Sequence, residues 1–529
     1  MVKKISTLKY IRNRKKFLDK LAKENGVKLF EILYKSINKF HSLNETERYW
    51  SIILTPCFWP IHEQLFLIDK INENQFPFLK ENFKIPIDCK SLQYMAMNNY
   101  LINSLNFLNN SYLKNKSIKE KEIKYFHDKA ENLSRNKYVF QIINFFFSLR
   151  KNKVVLDLFN LKLFFNLFLN GLSPNIINYN KKSIIEEEYS LEKREKLYNI
   201  GLNYCDEETK KKNWYVISHL LPCSIIENFS SSISASKKIF KDNPKKITIS
   251  NIRRNELENI RIAESVKKKT KLQIFQYGLG ALIQHYDFNE IHEQKNSDTF
   301  FSWAKSKNNK IIQYPFFYKL KFNKTEKYNG IILINSSWPY FYRSQCGPCF
   351  ESVTRNYFDQ INFVERIKKN FKNVLIKNPN YEFELYKKNS SIFKTINRNE
   401  IYQLKMQHKF LTKKPWENFI KNSYFPICSY MGTPFIMLLA NDVPNILFSR
   451  FSDFNLNDKF SKYMKEYKKF NFYYFHPNKA ANFLIKNKED LYQIWNEKKF
   501  KDFRDEFRYE FCEIKNNWQS DFAKKILEN

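Results

Sequence analysis

The sequence predicts an α/β chain in which a helix-rich N-terminal region precedes two units of alternating strands and helices. Three observations carry that prediction. The chain has 529 residues, enough for several domains of about 150 residues each. An apolar fraction of 43% with 51 Phe, 32 Tyr and 8 Trp excludes a disordered chain, while a total of only 8 Gly excludes collagen-like and Gly-rich repeat architectures. From about Trp214 onward, short apolar runs alternate with segments of helical period, the punctuation of strands linked by crossover helices in a parallel sheet.

Up to about Leu172 the period is mainly helical, with amphipathic stretches at 28–40 and 118–149 and few turn signals. The segment Lys3 to Lys20 is the most concentrated basic stretch, with Ile5, Leu8, Ile11, Leu18 and Leu21 at near-helical spacing. Such a helix either docks on the protein or lies on an anionic membrane surface. The apolar stretches 154–172 and 425–448 do not read as membrane spans, because Asp157 and Lys162 interrupt the first and Gly432, Pro434, Asp442 and Pro444 the second. In the first unit, 247–250 and 272–275 read as strands on either side of a helix at 256–268, and the charged stretch 305–327 reads as a connection. In the second, strands at 330–336, 374–377, 425–430, 446–449 and 472–476 alternate with helices at 350–371, 416–421, 434–440 and 479–486. Two Rossmann-like halves result, with boundaries at 1–175 (helix-rich), 176–325, 326–500 and a closing helix at 501–529.

Lys and Arg number 90 against 54 Asp and Glu, a formal net charge of +36. The lysines are spread along the whole chain among Asn, Ile, Phe and Tyr, all residues of A/T-rich codons, so base composition accounts for the bias and no specific nucleic-acid partner is expected. Eight scattered Cys make no disulfide-dense framework, and the first residues hold no uninterrupted apolar run. A cytoplasmic chain in a reducing compartment is expected.

Four motifs bear on chemistry. Cys346-Gly347-Pro348-Cys349 has thiol-disulfide spacing but follows a polar aromatic loop, which favours a turn that launches the next helix. Gln276-Tyr277-Gly278-Leu279-Gly280 follows a strand, and glycine there lets backbone approach a phosphate or sugar and supplies positive φ; a tight turn without ligand is the alternative. Glu290, His292 and Glu293, with Asp298 nearby, can supply a general base or form a solvated acidic loop. Ser429 to Pro434, with Gly432 and Thr433, joins a strand to a helix, where backbone N–H groups and the helix dipole suit a diphosphate; simple capping by Thr433 is the plain alternative. Arg343 and Lys377, near the ends of two strands of the same half, fall on the carboxyl edge and suit phosphate oxygens. No spacing suggests a metal-ligand set.

At these residues the chain resembles a family of bacterial transferases associated with O-antigen and surface-polysaccharide loci, whose sheet pattern is similar to GT-B glycosyltransferases. The resemblance runs in patches from about His41 to Phe507: Arg48-Tyr49-Trp50, Ser218 to Pro222, Ser250-Asn251, Ala263-Glu264, Gln276 through Asp298 to Trp303, Tyr342-Arg343, Gly347-Pro348, Ser429 to Thr433, Pro444 and Ala480-Ala481. It implies a GT-B-like glycosyltransferase acting in surface polysaccharide or lipopolysaccharide assembly, without cofactor or metal. The nucleotide-activated sugar is then expected on the second half, at Arg343, Lys377, Ser429, Gly432 and Thr433. A glycan or lipid-linked acceptor enters from the first half, at Gln276, Gly278 and Gly280, with His292 or Glu293 as base beside Glu290, in the cytoplasm or at the inner face of an anionic membrane. Tyr277 stands where the family pattern has His, and Met437 where a ribose-binding Glu is common. A catalytically inactive binding protein is therefore the second reading, and nucleic-acid binding, resting on charge alone, the third.

Overall fold

The computed structural model describes residues 7–20, 26–70, 84–88, 91–92, 95, 100–115, 118–119, 122, 124–126, 152–158, 160–177, 188–240, 243–252, 256–278, 282–322, 328, 330–335, 347, 349, 351–371, 373–377, 409–411, 416–422 and 424–529. Strands β1 (Lys84–Pro86) and β2 (Lys124–Phe126) form a small parallel pair. β2 falls inside the amphipathic stretch expected from 118, of which residues 127–149 lie outside the described residues.

The first large sheet is built from β3 (Lys153–Leu156), β4 (Ser173–Ile176), β5 (Lys246–Ile249), β6 (Lys271–Phe275), β7 (Thr299–Ser302) and β8 (Ile311–Gln313). It is parallel throughout, in the order β4-β3-β5-β6-β7-β8. β3 and β4 come from the stretch expected to be helix-rich, and β8 from the expected connection. Pro174 is tolerated in β4 because that strand pairs only with β3, at the sheet edge. Alternation along the strands sends side chains to two different cores. Val155, Ile247, Ile249, Leu272, Ile274 and Phe300 pack under the N-terminal helices. Val154, Leu156, Phe275 and Phe301 face the other way, toward the last helix, Trp518–Glu528, whose Phe522 ring lies 5.7 Å from Phe275 and 5.3 Å from Phe301. The N-terminal helices are thus one layer of this unit.

The second sheet comprises β9 (Gly330–Ile334), β10 (Val374–Lys377), β11 (Lys409–Leu411), β12 (Tyr424–Cys428), β13 (Ile446–Phe448) and β14 (Tyr473–Tyr474). Its order, β11-β10-β9-β12-β13-β14, is that of a doubly wound Rossmann-like unit, and it too is parallel. The run Gly-Ile-Ile-Leu-Ile of β9 is buried at every position, as a central parallel strand covered on both faces must be.

The chain then returns. After the helix Lys498–Phe511 the backbone N–H of Phe316 bonds the Glu513 carbonyl at 2.8 Å, and Lys246 Nζ donates to the carbonyls of Ile526 and Leu527 at 2.6 and 2.8 Å. A lysine on those C-terminal carbonyls satisfies groups that have no partner within the helix. The architecture is therefore α/β, two Rossmann-like units in a GT-B-like arrangement behind a helix-rich N-terminal region.

Two N-terminal features are settled by burial. The helices Thr7–Arg12 and Arg14–Lys20 dock on the protein, with Tyr10, Ile11, Arg14 and Leu18 all buried. Among the described residues one helix, at Glu47–Asp69, is long and apolar enough to cross a membrane, yet 89% of that window is buried inside the protein, and Pro56 and Pro60 lie within it.

Candidate functional site

Parallel strands deliver their following loops to one edge, and the strand order fixes which loops meet. In the second sheet the order reverses between β9 and β12, so the turn after β12 lies at the switch point. Ser429 begins this turn. Its N–H bonds the Ile334 carbonyl at 3.0 Å, and its own carbonyl accepts from Asn356 Nδ2 at 3.2 Å, so the fully buried Ser429 pins the turn to β9 and to the helix Glu351–Ile367. Gly432 is the N-cap of the helix Thr433–Ala440, which no side chain caps, and Thr433 is the first helical residue and not the cap. Gly432 is extended, and its glycine is required by space: a Cβ there would sit 2.0 Å from Cε2 of Tyr430. Lys377 ends β10 level with Ile334, which is level with Cys428 of β12, so the lysine shares the carboxyl edge with this turn. Arg343 lies outside the described residues.

The facing edge belongs to the first sheet. Gln276, which follows β6, is almost fully buried and acts as a pin. Its Oε1 accepts from Ser302 Oγ and the Trp303 N–H, both at 2.9 Å, and its Nε2 donates to the Gly278 carbonyl at 3.0 Å. Tyr277, beside it, is 53% exposed and lies near Tyr318. Gly278 does not adopt positive φ. What it provides is proximity: a Cβ built on Gly278 would be 3.6 Å from Thr433 Oγ1. The two Gly-bearing turns thus meet across the crevice between the units. Gly280 lies outside the described residues.

The acid and imidazole group has a different place. His292 is 5% exposed on the helix Phe288–Asn296, with its Nδ1 at 2.8 Å from Asn296 Nδ2 and 3.4 Å from Ser51 Oγ of the helix Glu47–Lys70. Glu293 is 7% exposed on the same helix. Neither forms a solvated acidic loop. Glu290 accepts the Leu282 N–H at both carboxylate oxygens, at 3.0 and 3.1 Å, where Leu282 takes a left-handed φ of 59°. Burial, with Asp287 and Glu293 adding negative charge nearby, pushes the Glu290 carboxyl up to about 8. The loop that it anchors clasps the second unit: Asn457 donates from its backbone N to the Ile283 carbonyl at 2.8 Å and from Nδ2 to the Leu282 carbonyl at 2.6 Å, and the His285 N–H bonds the Asn455 carbonyl at 2.7 Å. Glu290 therefore positions the joint between the units.

Sequence reasoning missed Asp157 as a site residue. The first sheet reverses order between β3 and β5, and Asp157, just past β3, accepts at Oδ2 from the N–H and Oγ of Ser250, just past β5, at 2.7 and 2.6 Å. An acidic residue directly after an apolar run is the one signal the sequence offers. Another family patch proves to be structural: the fully buried Arg194 pairs with Glu227 at 2.6 Å and donates to the carbonyls of Ser218 and Leu221, holding the Ser218 to Pro222 corner. Cys349 is buried, with its N–H on Ser352 Oγ at 2.7 Å at the start of the helix Glu351–Ile367; Cys346 and Pro348 lie outside the described residues. Among the described residues no three His, Cys, Asp or Glu side chains gather as for a metal ion.

Comparison with known proteins gives a family and little else. No curated protein sequence matches the chain. Among solved structures, S. aureus MnaA with UDP shares 10% identity at a TM-score of 0.38, over 71% of this chain and 96% of that one. The spinosyn rhamnosyltransferase SpnG with spinosyn aglycone shares 10% at 0.30, over 72% and 100%. Such weak likeness carries no functional information. The model of the LIC12162 family transferases, in contrast, matches residues 3–526, nearly the whole chain. The chain belongs to the LIC12162 family of transferases.

Proposed function

We propose that this transferase moves a sugar from a nucleotide-activated donor to a glycan or lipid-linked acceptor of surface polysaccharide or lipopolysaccharide assembly, acting in the cytoplasm or at the inner face of the membrane. The observation that carries this reading is the meeting of the Gly278 turn with the open N-terminus of the helix Thr433–Ala440 at the switch point of the second sheet. A helix N-terminus without a side-chain cap presents backbone N–H groups to an anion, and a crevice at a switch point is where doubly wound sheets take nucleotides. Lys377 on the same edge adds a positive charge for the leaving phosphate.

On the acceptor side, a general base removes the hydroxyl proton as the oxygen attacks the anomeric carbon and the nucleotide leaves with the bonding pair. Asp157 suits this role better than His292. It is a half-buried carboxylate at the switch point of the facing sheet, held by two donors from Ser250, whereas His292 is enclosed by Ser51 and Asn296. Nucleotide sugars incubated with the purified chain test the reading: transfer or slow hydrolysis of at least one supports it, and failure to bind any favours a non-catalytic shell, for which Tyr277 and Met437 are the motivating residues.

A further inference from the structure

The turn Ser429 to Gly432 has a charged neighbour that the sequence scatters over more than four hundred positions. Arg355 and Asp359 lie one turn apart on the helix Glu351–Ile367, next to Asn356, which bonds the Ser429 carbonyl at 3.2 Å. Arg450 follows β13, the strand beside β12, and Asp453 closes the short turn Phe451–Asp453. Arg355 pairs with Asp453 at 2.6 Å and Arg450 with Asp359 at 3.3 Å. From the N-terminal arm, Arg14 donates to the Asp453 carbonyl at 3.1 Å and to the Gly347 carbonyl at 2.7 Å, joining loops that flank the turn on both sides.

Three guanidinium groups face two carboxylates, so the cluster keeps one positive charge in a place where Asp453 is 2% and Arg14 4% exposed. Each carboxylate pairs with one of the two arginines Arg355 and Arg450 and fixes its orientation, and the surplus positive charge of the cluster is that of Arg14. The Nε–H groups of Arg355 and Arg450 are buried, and neither has an acceptor among the described residues. A buried donor without an acceptor is costly, and planar guanidinium donors match phosphate oxygens.

We propose that Arg355 and Arg450, oriented by Asp453 and Asp359, form the subsite for the diphosphate of the nucleotide donor, with Arg14 as a positioning residue that ties the N-terminal arm to it. This rests on the donor reading given above. It adds to the helix N-terminus a set of side chains contributed by three separate segments, so that ordering of the arm and binding of the anion support each other.

The test is calorimetric titration of the full chain with inorganic pyrophosphate and with UDP, GDP and CDP. Arg450→Gln is compared with the charge-matched pair Arg355→Gln, Asp453→Asn, which leaves no buried carboxylate unpaired, and with Lys524→Gln, which removes the same charge far from the cluster. Circular dichroism confirms folding of each. The cluster predicts that Arg450→Gln and the charge-matched pair weaken pyrophosphate and nucleotide alike by between about tenfold and a hundredfold, and that Lys524→Gln changes neither. Folded variants that bind nucleotide as tightly as the parent overturn the subsite and leave the donor reading standing. A parent that binds pyrophosphate through these arginines but no nucleotide keeps the subsite and removes the donor reading, and a parent that binds neither overturns both.

Discussion

A side-chain carbon on Gly278 would come within 3.6 Å of the Thr433 hydroxyl, so the turn after β6 of one sheet and the helix that follows β12 of the other are in near contact. That separation is ordinary van der Waals contact. Gly278→Ala is therefore expected to fold normally, whereas Gly278→Leu must push into the crevice. The expected outcome is an unchanged melting temperature for the alanine variant and, for the leucine variant, loss of donor binding that exceeds any loss of stability, read by thermal shift with and without nucleotide sugar.

Gly432 is constrained by Tyr430 and not by its dihedral angles, since its backbone is extended and open to any residue. Gly432→Ala should cost about 1–3 kcal/mol through overpacking. Removing the ring in the double variant Gly432→Ala, Tyr430→Ala should recover part of that loss in urea titrations. If both variants unfold at the same urea concentration, steric conflict with Tyr430 is not the cause.

Glu290 gives the stability a pH dependence of definite sign. Burial pushes its carboxyl in the folded state up to about 8, from an ordinary value of 4.5. Below the lower value both folded and unfolded states hold the proton, and the contribution is fully present. Between the two values only the folded state holds it, so stability falls as pH rises toward 8. Glu290→Gln removes this dependence, and its melting temperature should vary less between pH 5 and pH 8 than that of the parent. Identical profiles for the two proteins would show that Glu290 is not responsible.

The Arg194 and Glu227 pair is fully buried, with four guanidinium hydrogen bonds to Glu227, Ser218 and Leu221 at 2.6 to 2.9 Å. Arg194→Met leaves a buried carboxylate unpaired and should cost about 3–5 kcal/mol, and the double variant Arg194→Met, Glu227→Leu should cost much less. Denaturant unfolding of the two variants decides the matter.

These residues show what a one-dimensional reading reaches. The second sheet was legible except for its edge strand β11, because Gly330 to Ile334, Val374 to Lys377 and Ile446 to Phe448 are short apolar runs bounded by turn residues, and buried parallel strands must look like that. The two Gly-bearing turns were legible for a related reason: in so Gly-poor a chain, glycine stands out where backbones approach. β4 was not, because Ser173-Pro174-Asn175-Ile176 is polar and holds a proline that only an edge strand accepts. His292, expected as a base or as part of a solvated loop, is enclosed because Phe288, His292 and Asn296 repeat at a spacing of four, which marks the buried face of a helix. The cluster of Arg14, Arg355, Arg450, Asp359 and Asp453 left no local trace, since only the order of the strands brings its parts together.

On the proposed reading, the nucleotide donor binds in the crevice between the Gly278 turn and the helix Thr433–Ala440. Hydrogen exchange measured on the full chain with and without a panel of nucleotide sugars reads this out. At least one of them should slow exchange in both 276–278 and 431–436, two segments that follow strands of different sheets. Protection confined to other segments, or none with any donor, would exclude the crevice as the donor site.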